Sequence, residues 1–164
     1  MPPAARHRPV TLSRCSVISK IGRWVVEGDD DGLSRIYLPN ESVRATKGVA
    51  SGPVVDAARQ LEEYFNGRRL YFDVDLHACG TEFQQEVWIA LAAIPYGVVH
   101  SYGQVAEAVG RPNAYRAVGN ANAKNPWPII VPCHRVVASS SVGGYAGGLD
   151  VKRFLLRLEG IDRY

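Results

Sequence analysis

A cysteine, a histidine and an arginine stand side by side in the apolar run 129–137, directly after Pro132. The cysteine thiolate is a strong nucleophile, but a free thiol with a pKa of about 8.5 is only about 3% ionised at pH 7. Cationic neighbours favour the thiolate, and His134 and Arg135 are candidates for that role. The run therefore predicts covalent chemistry at Cys133. The alternative is a cysteine that serves only as a small buried hydrophobe.

The backbone around the cysteine decides how the thiol and the imidazole meet. In an extended chain, successive side chains point to opposite faces, so Cys133 and His134 would not touch directly. A bridging water or a turn would connect them, and Pro132 favours an irregular backbone at this point.

Composition limits the classes of protein to consider. The 164 residues are 46% hydrophobic and 21% charged, with a net charge of +3, so a nucleic acid would have to be bound through a local basic patch. Three cysteines argue against a disulfide framework and for a reducing compartment. No apolar run approaches the length of a membrane span, and the first residues lack the apolar segment of a secretory signal. We therefore expect a cytoplasmic protein with no membrane partner.

The first half of the chain mixes strand and helix patterns. Residues 23–27 and 33–38 are predicted strands, joined by a hairpin turn through the acidic triplet 29–31. We interpret the triplet as a solvated turn, with a metal site as the alternative. Helical spacing marks residues 54–65, and residues 70–76 alternate like a half-buried strand.

Residues 77–80 form a predicted linker, after which helical patterns dominate. Capping boxes at 81–84 and 101–104 each open a helix. A further helix over 114–123 follows a tight Gly/Pro turn, which gives the pattern of a helix-turn-helix; an ordinary αα-hairpin is the alternative. A last amphipathic helix ends at Glu159.

Several motifs of the second half resemble those of the O6-alkylguanine-DNA alkyltransferases. Pro132-Cys133-His134-Arg135-Val136 is similar to the active-site motif of that family. Further matches follow the family's order and approximate spacing: Ser101-Tyr102, Arg116-Ala117-Val118-Gly119-Asn120, Asn125-Pro126, Gly144-Tyr145-Ala146-Gly147-Gly148 and Glu159-Gly160. The resemblance covers residues 81–160, whereas the first half matches only in the general order of its elements.

The resemblance implies a mixed fold class, α+β or α/β, in two domains. Residues 1–79 would form a small N-terminal lobe of mixed sheet and helix, similar to RNase H. Residues 80–164 would form a helical DNA-binding and alkyl-transfer domain, with a helix-turn-helix of the winged-helix-like kind.

The function implied is direct DNA repair. An alkyl group would pass irreversibly from O6-alkylguanine to Cys133, once per molecule, after the base is flipped out of the stack. O4-alkylthymine is left open as a substrate. The expected partner is double-stranded DNA, bound in the minor groove by a monomer, with cooperativity left open. In a prokaryote the protein would associate with the nucleoid.

No cofactor is implied by the resemblance. Some members of the family hold a zinc ion in the first lobe, but Cys15, Cys79, His7 and His77 do not match that placement. We therefore predict no metal.

The resemblance also assigns catalytic roles. Glu159 would orient His134, which through a water would take the proton of Cys133. Asn125 would brace the turn beneath the site. Tyr102 would crowd the phosphate of the target nucleotide and donate a proton toward guanine N3, since a phenol keeps its proton at neutral pH.

The helix over 114–123 would carry the DNA contacts. Arg116 matches the arginine that fills the gap left by the flipped base; a solvated arginine is the alternative. Ala117 and Gly119 add little bulk, which suits a narrow groove. Asn122 stands where some relatives have an apolar side chain that stacks on bases.

The remaining matched residues would form the base pocket. Tyr145 would pack on the flipped base, and the backbone N–H of Ala146 would donate toward O6. The carbonyls of Cys133 and Val136 would accept from the exocyclic amine.

Three other functions are compatible with parts of this pattern. A DNA-binding relative without transfer activity would lack the cysteine. A Cys–His hydrolase would need turnover and an oxyanion hole. A transcription regulator would need side chains that recognise base edges, and the alanine-rich helix offers few of them.

Overall fold

A computed structural model describes residues 11–46 and 48–164 of the chain. His7, considered above as a metal ligand, lies outside the described residues. Across those residues the protein mixes α-helices with two small sheets, in agreement with the expected fold class.

The first half is built on a three-stranded antiparallel sheet in the order β1 (Ser13–Ser19), β2 (Gly22–Asp29) and β3 (Gly32–Tyr37). The predicted hairpin between β2 and β3 is confirmed, and the N–H of Asp31 donates to Asp29 Oδ1 at 2.9 Å within its turn. The sequence patterns did not predict β1.

Helix α1 (Gly52–Phe65) covers this sheet with the apolar side predicted from its spacing. By contrast, the predicted strand over residues 70–76 is wrong: only Leu76 pairs with a strand, through an isolated bridge to Leu33. The amide of Gln60 instead bonds both backbone groups of Asp73, at 2.8 and 2.9 Å. The alternating pattern arises because the segment lies over α1.

The second half begins with α2 (Glu82–Ala92), followed by β4 (His100–Ser101), α3 (Tyr102–Ala108) and α4 (Tyr115–Ala123). Both predicted capping boxes are formed, with the Thr81 and Ser101 hydroxyls accepting from the third residue of each helix. Helices α3 and α4 pack together across the turn at 109–114, which the helix-turn-helix and the αα-hairpin both predict.

The cysteine run is irregular, as Pro132 suggested, and the extended alternative is wrong. Cys133–Arg135 form one turn of 3₁₀ helix, which leads into β5 (Val136–Val137), and β5 pairs in parallel with β4. Helix α5 (Leu149–Leu158) ends the fold and packs against the 3₁₀ turn.

The two halves share one hydrophobic core. Ile36 of β3 donates its N–H to the carbonyl of Pro126 at 2.8 Å, and Trp127 Nε1 donates to the carbonyl of Leu33 at 3.1 Å. The segment before the cysteine therefore lies against the first sheet. No helix in the described ranges is both long and apolar enough to span a membrane.

Candidate active site

The Cys133 thiol opens into a pocket of about 470 Å³ between the two halves. The cysteine is only 5% exposed, so this pocket is its contact with solvent. The pocket is lined by β3 and the loop after it, the start of α3, the end of α4, the segment that leads to Cys133, and the glycine-rich loop before α5. Their lining residues include Arg35, Leu38, Gly119, Asn122, Tyr145 and Ala146.

Burial raises the pKa of the Cys133 thiol. Three neighbours oppose this effect: the side chains of Asn125 and Tyr145 by hydrogen bonding, and the charge of Lys152. The sulfur lies 4.0 Å from the Tyr145 hydroxyl. The thiol is therefore protonated at rest and needs a base that removes its proton.

The sequence suggested His134 and Arg135 as the cationic neighbours of the thiol, and the structure corrects this. Arg135 is buried and turned away, donating to Glu159 and to the carbonyl of Ile94. Burial lowers the pKa of His134, which favours the neutral imidazole. The cation that acts on the thiol is Lys152 instead.

Lys152 was missed by the sequence analysis. It is fully buried, and its ammonium donates to the carbonyls of Val136 at 2.6 Å and Gly144 at 2.9 Å. Within the described part of the chain, no carboxylate lies at ion-pair distance from it. Burial lowers its pKa to about 8. A signal existed, because this lysine lies beside Val151 on the apolar face of α5.

His134 and Glu159 form a buried pair. His134 Nε2 lies 2.7 Å from Glu159 Oε1, so the Nε2–H donates and the neutral ring keeps its lone pair on Nδ1. Nδ1 is buried and has no hydrogen-bond partner among the described residues. The imidazole can therefore accept a proton on the side that does not face Glu159.

Glu159 is the residue immediately after α5. Its carboxylate also accepts from Arg135, from the N–H of Gly97 at 3.1 Å and from the Tyr64 hydroxyl at 2.7 Å. Burial would raise the pKa of this carboxyl, but the hydrogen bonds and charges of His134 and Arg135 outweigh it and hold the pKa at about 2.

Asn125 holds the turn that delivers the cysteine. Its Nδ2 donates to the carbonyl of Val131 at 2.7 Å, and its Oδ1 accepts from the N–H of Trp127 at 3.0 Å. Ile129, which lies between Trp127 and Val131, adopts a φ of 76°, a strained value for a β-branched residue. The amide therefore stabilises a backbone conformation that Ile129 disfavours.

Tyr102 stands at the start of α3, with its half-buried ring against Gly119 of α4. Burial raises the pKa of its hydroxyl, so it remains a proton donor at neutral pH. A Cβ added at Gly119 would lie 3.8 Å from this ring, in ordinary van der Waals contact.

Helix α4 divides the predicted DNA-contacting residues into two groups. Arg116 and Ala117 are exposed, whereas Gly119 and Asn122 face the pocket. Asn122 is buried, and its Nδ2 lies 3.4 Å from the carbonyl of Cys133. Its place is therefore beside the thiol, away from the exposed side of the helix.

Tyr145 and Ala146 line the pocket, as expected for base-binding residues. The carbonyl of Ala146 accepts from Asn40 of the first half at 3.2 Å. The Val136 carbonyl, expected to accept from the base, already accepts from Lys152. Only its second lone pair is free for a substrate amine.

Within residues 11–46 and 48–164, no group of three or more histidine, cysteine or acidic side chains could hold a metal ion. In the acidic turn that was considered as a metal site, Asp29 Oδ1 instead lies 2.8 Å from His77 Nε2.

Comparison with known proteins identifies relatives over most of the chain. Residues 82–161 match the family described as 6-O-methylguanine DNA methyltransferase, DNA binding domain. The chain is 47% identical over 152 residues to the methylated-DNA–protein-cysteine methyltransferase of Methanosarcina acetivorans, covering 87% of this chain and 94% of that protein. Its identity to the Mycobacterium bovis protein of that name is 54% over 152 residues, covering 88% and 90%.

Solved structures of similar proteins also match the fold of this chain. The crystal structure of the Mycobacterium tuberculosis O6-methylguanine methyltransferase matches with a TM-score of 0.82 at 41% identity, covering 94% of this chain and 95% of that one. A second Mycobacterium tuberculosis structure, in complex with DNA, matches with a TM-score of 0.80 at 44% identity, covering 88% and 90%.

Proposed function

This chain belongs to the family of methylated-DNA–protein-cysteine methyltransferases, and from that premise we propose that Cys133 is its alkyl acceptor. The protein repairs DNA directly, by single-turnover transfer of an alkyl group to a cysteine. Of its three cysteines, Cys133 alone opens into a pocket with a histidine–glutamate pair beside it. That arrangement is the observation that carries the proposal.

The pocket requires the target base to leave the duplex. The thiol is 5% exposed at the bottom of the pocket, which stacked DNA cannot enter. Base flipping costs a few kcal/mol, and least for a damaged base. Tyr145 packs on the flipped guanine, and the N–H of Ala146 donates to O6.

Transfer is a displacement at the alkyl carbon. His134 takes the Cys133 proton on Nδ1 through a water, and Glu159 stabilises the imidazolium that forms. The new S–C bond forms as the C–O6 bond breaks, and the bonding electron pair leaves with guanine. Tyr102 protonates guanine at N3, and the proton held by His134 restores the phenol through solvent. The thioether does not reverse, so each molecule reacts once.

Helix α4 is the proposed DNA-binding element, entering the minor groove as part of a winged-helix-like domain. Its exposed side carries Arg116, which takes the place of the flipped base, and Ala117, which lets the helix approach closely. Gly119 lies about one turn and Asn122 nearly two turns further on, both at the pocket. A single helix would therefore reach from the base stack of the DNA, at Arg116, to the pocket that holds the Cys133 thiol.

We further propose an RNase H-like lobe over residues 1–79 and the DNA-binding and transfer domain over 80–164. The protein would act as a monomer on the chromosome, which in a prokaryote lies in the cytoplasm.

The experiment is a stoichiometric transfer assay. Incubation with a duplex that contains one O6-methylguanine should add the mass of one methyl group per molecule. Cys133→Ser should add none and still bind DNA, whereas the matched control Cys79→Ser should react normally, because that thiol is exposed and outside the pocket. Repair beyond one equivalent, or transfer by Cys133→Ser, would overturn the proposal.

A further inference from the structure

One group at the buried carboxylate comes from outside the matched region 82–161. Tyr64 lies in the last turn of α1, in the first half of the chain, and is fully buried. Its hydroxyl donates to Glu159 Oε1 at 2.7 Å, across the junction between the two halves. The first half thus reaches the interior of the second through this hydrogen bond.

The position of this hydrogen bond is specific. Oε1 accepts from His134 and from Arg135 Nη2 at 3.0 Å, while Oε2 accepts from Gly97 and from Arg135 Nε. Tyr64 therefore acts on the oxygen that faces the imidazole. Its hydroxyl, the His134 Nε2–H and Arg135 Nη2 all donate to this one atom, and the Tyr64 bond is the one that comes from the first half of the chain.

Packing determines where the hydroxyl lies. The Tyr64 ring contacts Phe65, Phe72 and Tyr96, with centroid distances of 5.7, 5.7 and 6.3 Å and tilted or edge-on geometry. Phe65 and Phe72 belong to the first half, so that half sets the ring. A ring held on three sides cannot move its hydroxyl without repacking the core.

We propose that Tyr64 is a positioning residue for alkyl transfer: its hydroxyl holds Glu159 Oε1 in register with His134, so the first half of the chain takes part in activating the thiol. This rests on the roles proposed above for Cys133, His134 and Glu159. It gives the first half a chemical function besides that of packing.

Tyr64→Phe removes the hydroxyl and keeps the ring. Under saturating DNA, the single-turnover rate of methyl transfer should fall about 3- to 10-fold at neutral pH, the size of one ordinary net hydrogen bond, because His134 and Arg135 still hold the carboxylate. The affinity for DNA should stay the same, because Tyr64 is fully buried. A matched control is Tyr37→Phe, which removes a hydroxyl that donates to Glu27 in the same half at 3.3 Å and should leave the rate unchanged.

The pH profile separates positioning from a general loss of stability. Without the Tyr64 hydroxyl, Oε1 carries more negative charge toward the Nε2–H of His134, and the pKa of the imidazole rises. Neutral His134 is the base, so the acid limb of the transfer rate should move to higher pH. The other ionisable groups around this pair are unchanged in the variant: Cys133, Arg135, Tyr96 and Lys152.

A double-mutant cycle tests whether Tyr64 acts through Glu159. In a Glu159→Gln background, Tyr64→Phe should slow transfer less than twofold, because the carboxylate that it positions is gone. Equal fold-losses in both backgrounds, or an unshifted acid limb in a Tyr64→Phe protein that is folded by circular dichroism, would overturn the inference. If the unmodified protein failed to methylate Cys133, the proposed function itself would fail, and the two failures are thereby distinguished.

Discussion

Cys133 is held in surroundings that disfavour its ionisation. Burial raises the pKa of the thiol, and the charge of Lys152 only partly opposes this. A protonated thiol is protected from chance oxidation and alkylation, because the thiolate is the reactive form. Under the proposed mechanism, transfer therefore depends on His134 to remove the proton of the thiol.

Lys152→Met tests the electrostatic part of this arrangement. Removal of the buried positive charge should raise the pKa of Cys133 further and slow methyl transfer about tenfold at pH 7.5, equivalent to one unit of thiol pKa. The measurement is the single-turnover rate as a function of pH, together with the rate at which iodoacetamide modifies Cys133.

Arg157→Met is the matched control, since Arg157 is an exposed cation on the same helix. Its rates should equal those of the unmodified protein. If Lys152→Met reacted with iodoacetamide as fast as the unmodified protein, the charge of Lys152 would have no part in ionising the thiol.

Only some of the residues around the thiol could be predicted from the sequence. Cys133, His134 and Glu159 could be found because they stand in a recognisable set of motifs. Lys152 stands out by its place on the apolar face of α5, but that place assigns it no role, and Tyr64 gives no signal at all. A lysine on an amphipathic helix and a tyrosine in an apolar stripe are usually structural. Their contacts with carbonyls and with Glu159 depend on how distant segments pack.

Helix α4 is the element that we propose connects the bound DNA to the thiol. It is short, and its side chains near the pocket are small. The exposed Arg116 guanidinium lies 5.9 Å from the centre of the Tyr115 ring, in a cation–π contact. Since Arg116 forms no salt bridge with any residue that the structure describes, it can enter a DNA stack without breaking one there.

Arg116→Ala should therefore slow transfer from duplex DNA more than transfer from the free modified base. We expect the transfer rate from O6-methylguanine in a duplex to fall by at least tenfold, since the unstacked state loses its wedge. Transfer from the free modified base should change less than twofold, because Arg116 does not line the pocket. Equal losses with both substrates would rule out the wedge role.

Elements with local signals were predicted well. The two capping boxes and the Gly/Pro turn placed α2, α3 and α4 within one or two residues, because their determinants lie within four residues of each other. Residues 70–76 failed because alternation alone does not supply a strand partner. In that segment a glutamine side chain takes the place of the neighbouring strand.

At the scale of the molecule, the two halves meet around a buried charge cluster. Glu159 accepts from Tyr64 of the first half and from His134, Arg135 and Gly97 of the second. Such a cluster is costly to break, because the loss of one partner leaves the others buried and unpaired. The carboxylate that we propose orients His134 is therefore also a structural residue.

Stability should fall in acid for this reason. The pKa of Glu159 is about 2 in the folded protein and about 4.3 in an unfolded chain, so the unfolded state binds a proton first as the pH drops. The contribution, about 3 kcal/mol, is complete above pH 5 and is lost as the pH falls toward 2. The lowered pKa of His134 adds a loss that begins below about pH 6.5.

Urea unfolding between pH 7 and pH 3 measures this effect. The unmodified protein and Glu41→Gln, which removes a surface carboxylate paired with Arg35, should both lose stability in acid. Glu159→Gln should already be destabilised by about 3 kcal/mol or more at pH 7. A free energy of unfolding that stayed constant from pH 6.5 to pH 3 would contradict the charge cluster described above.

The central claim is that the alkyl group ends on the sulfur in the pocket. The direct measurement is peptide mapping by tandem mass spectrometry after reaction with a duplex containing O6-methylguanine. We predict one S-methyl group, on Cys133, with Cys15 and Cys79 unmodified. A methyl group on either of those cysteines, or repaired DNA with all three thiols free, would contradict the account.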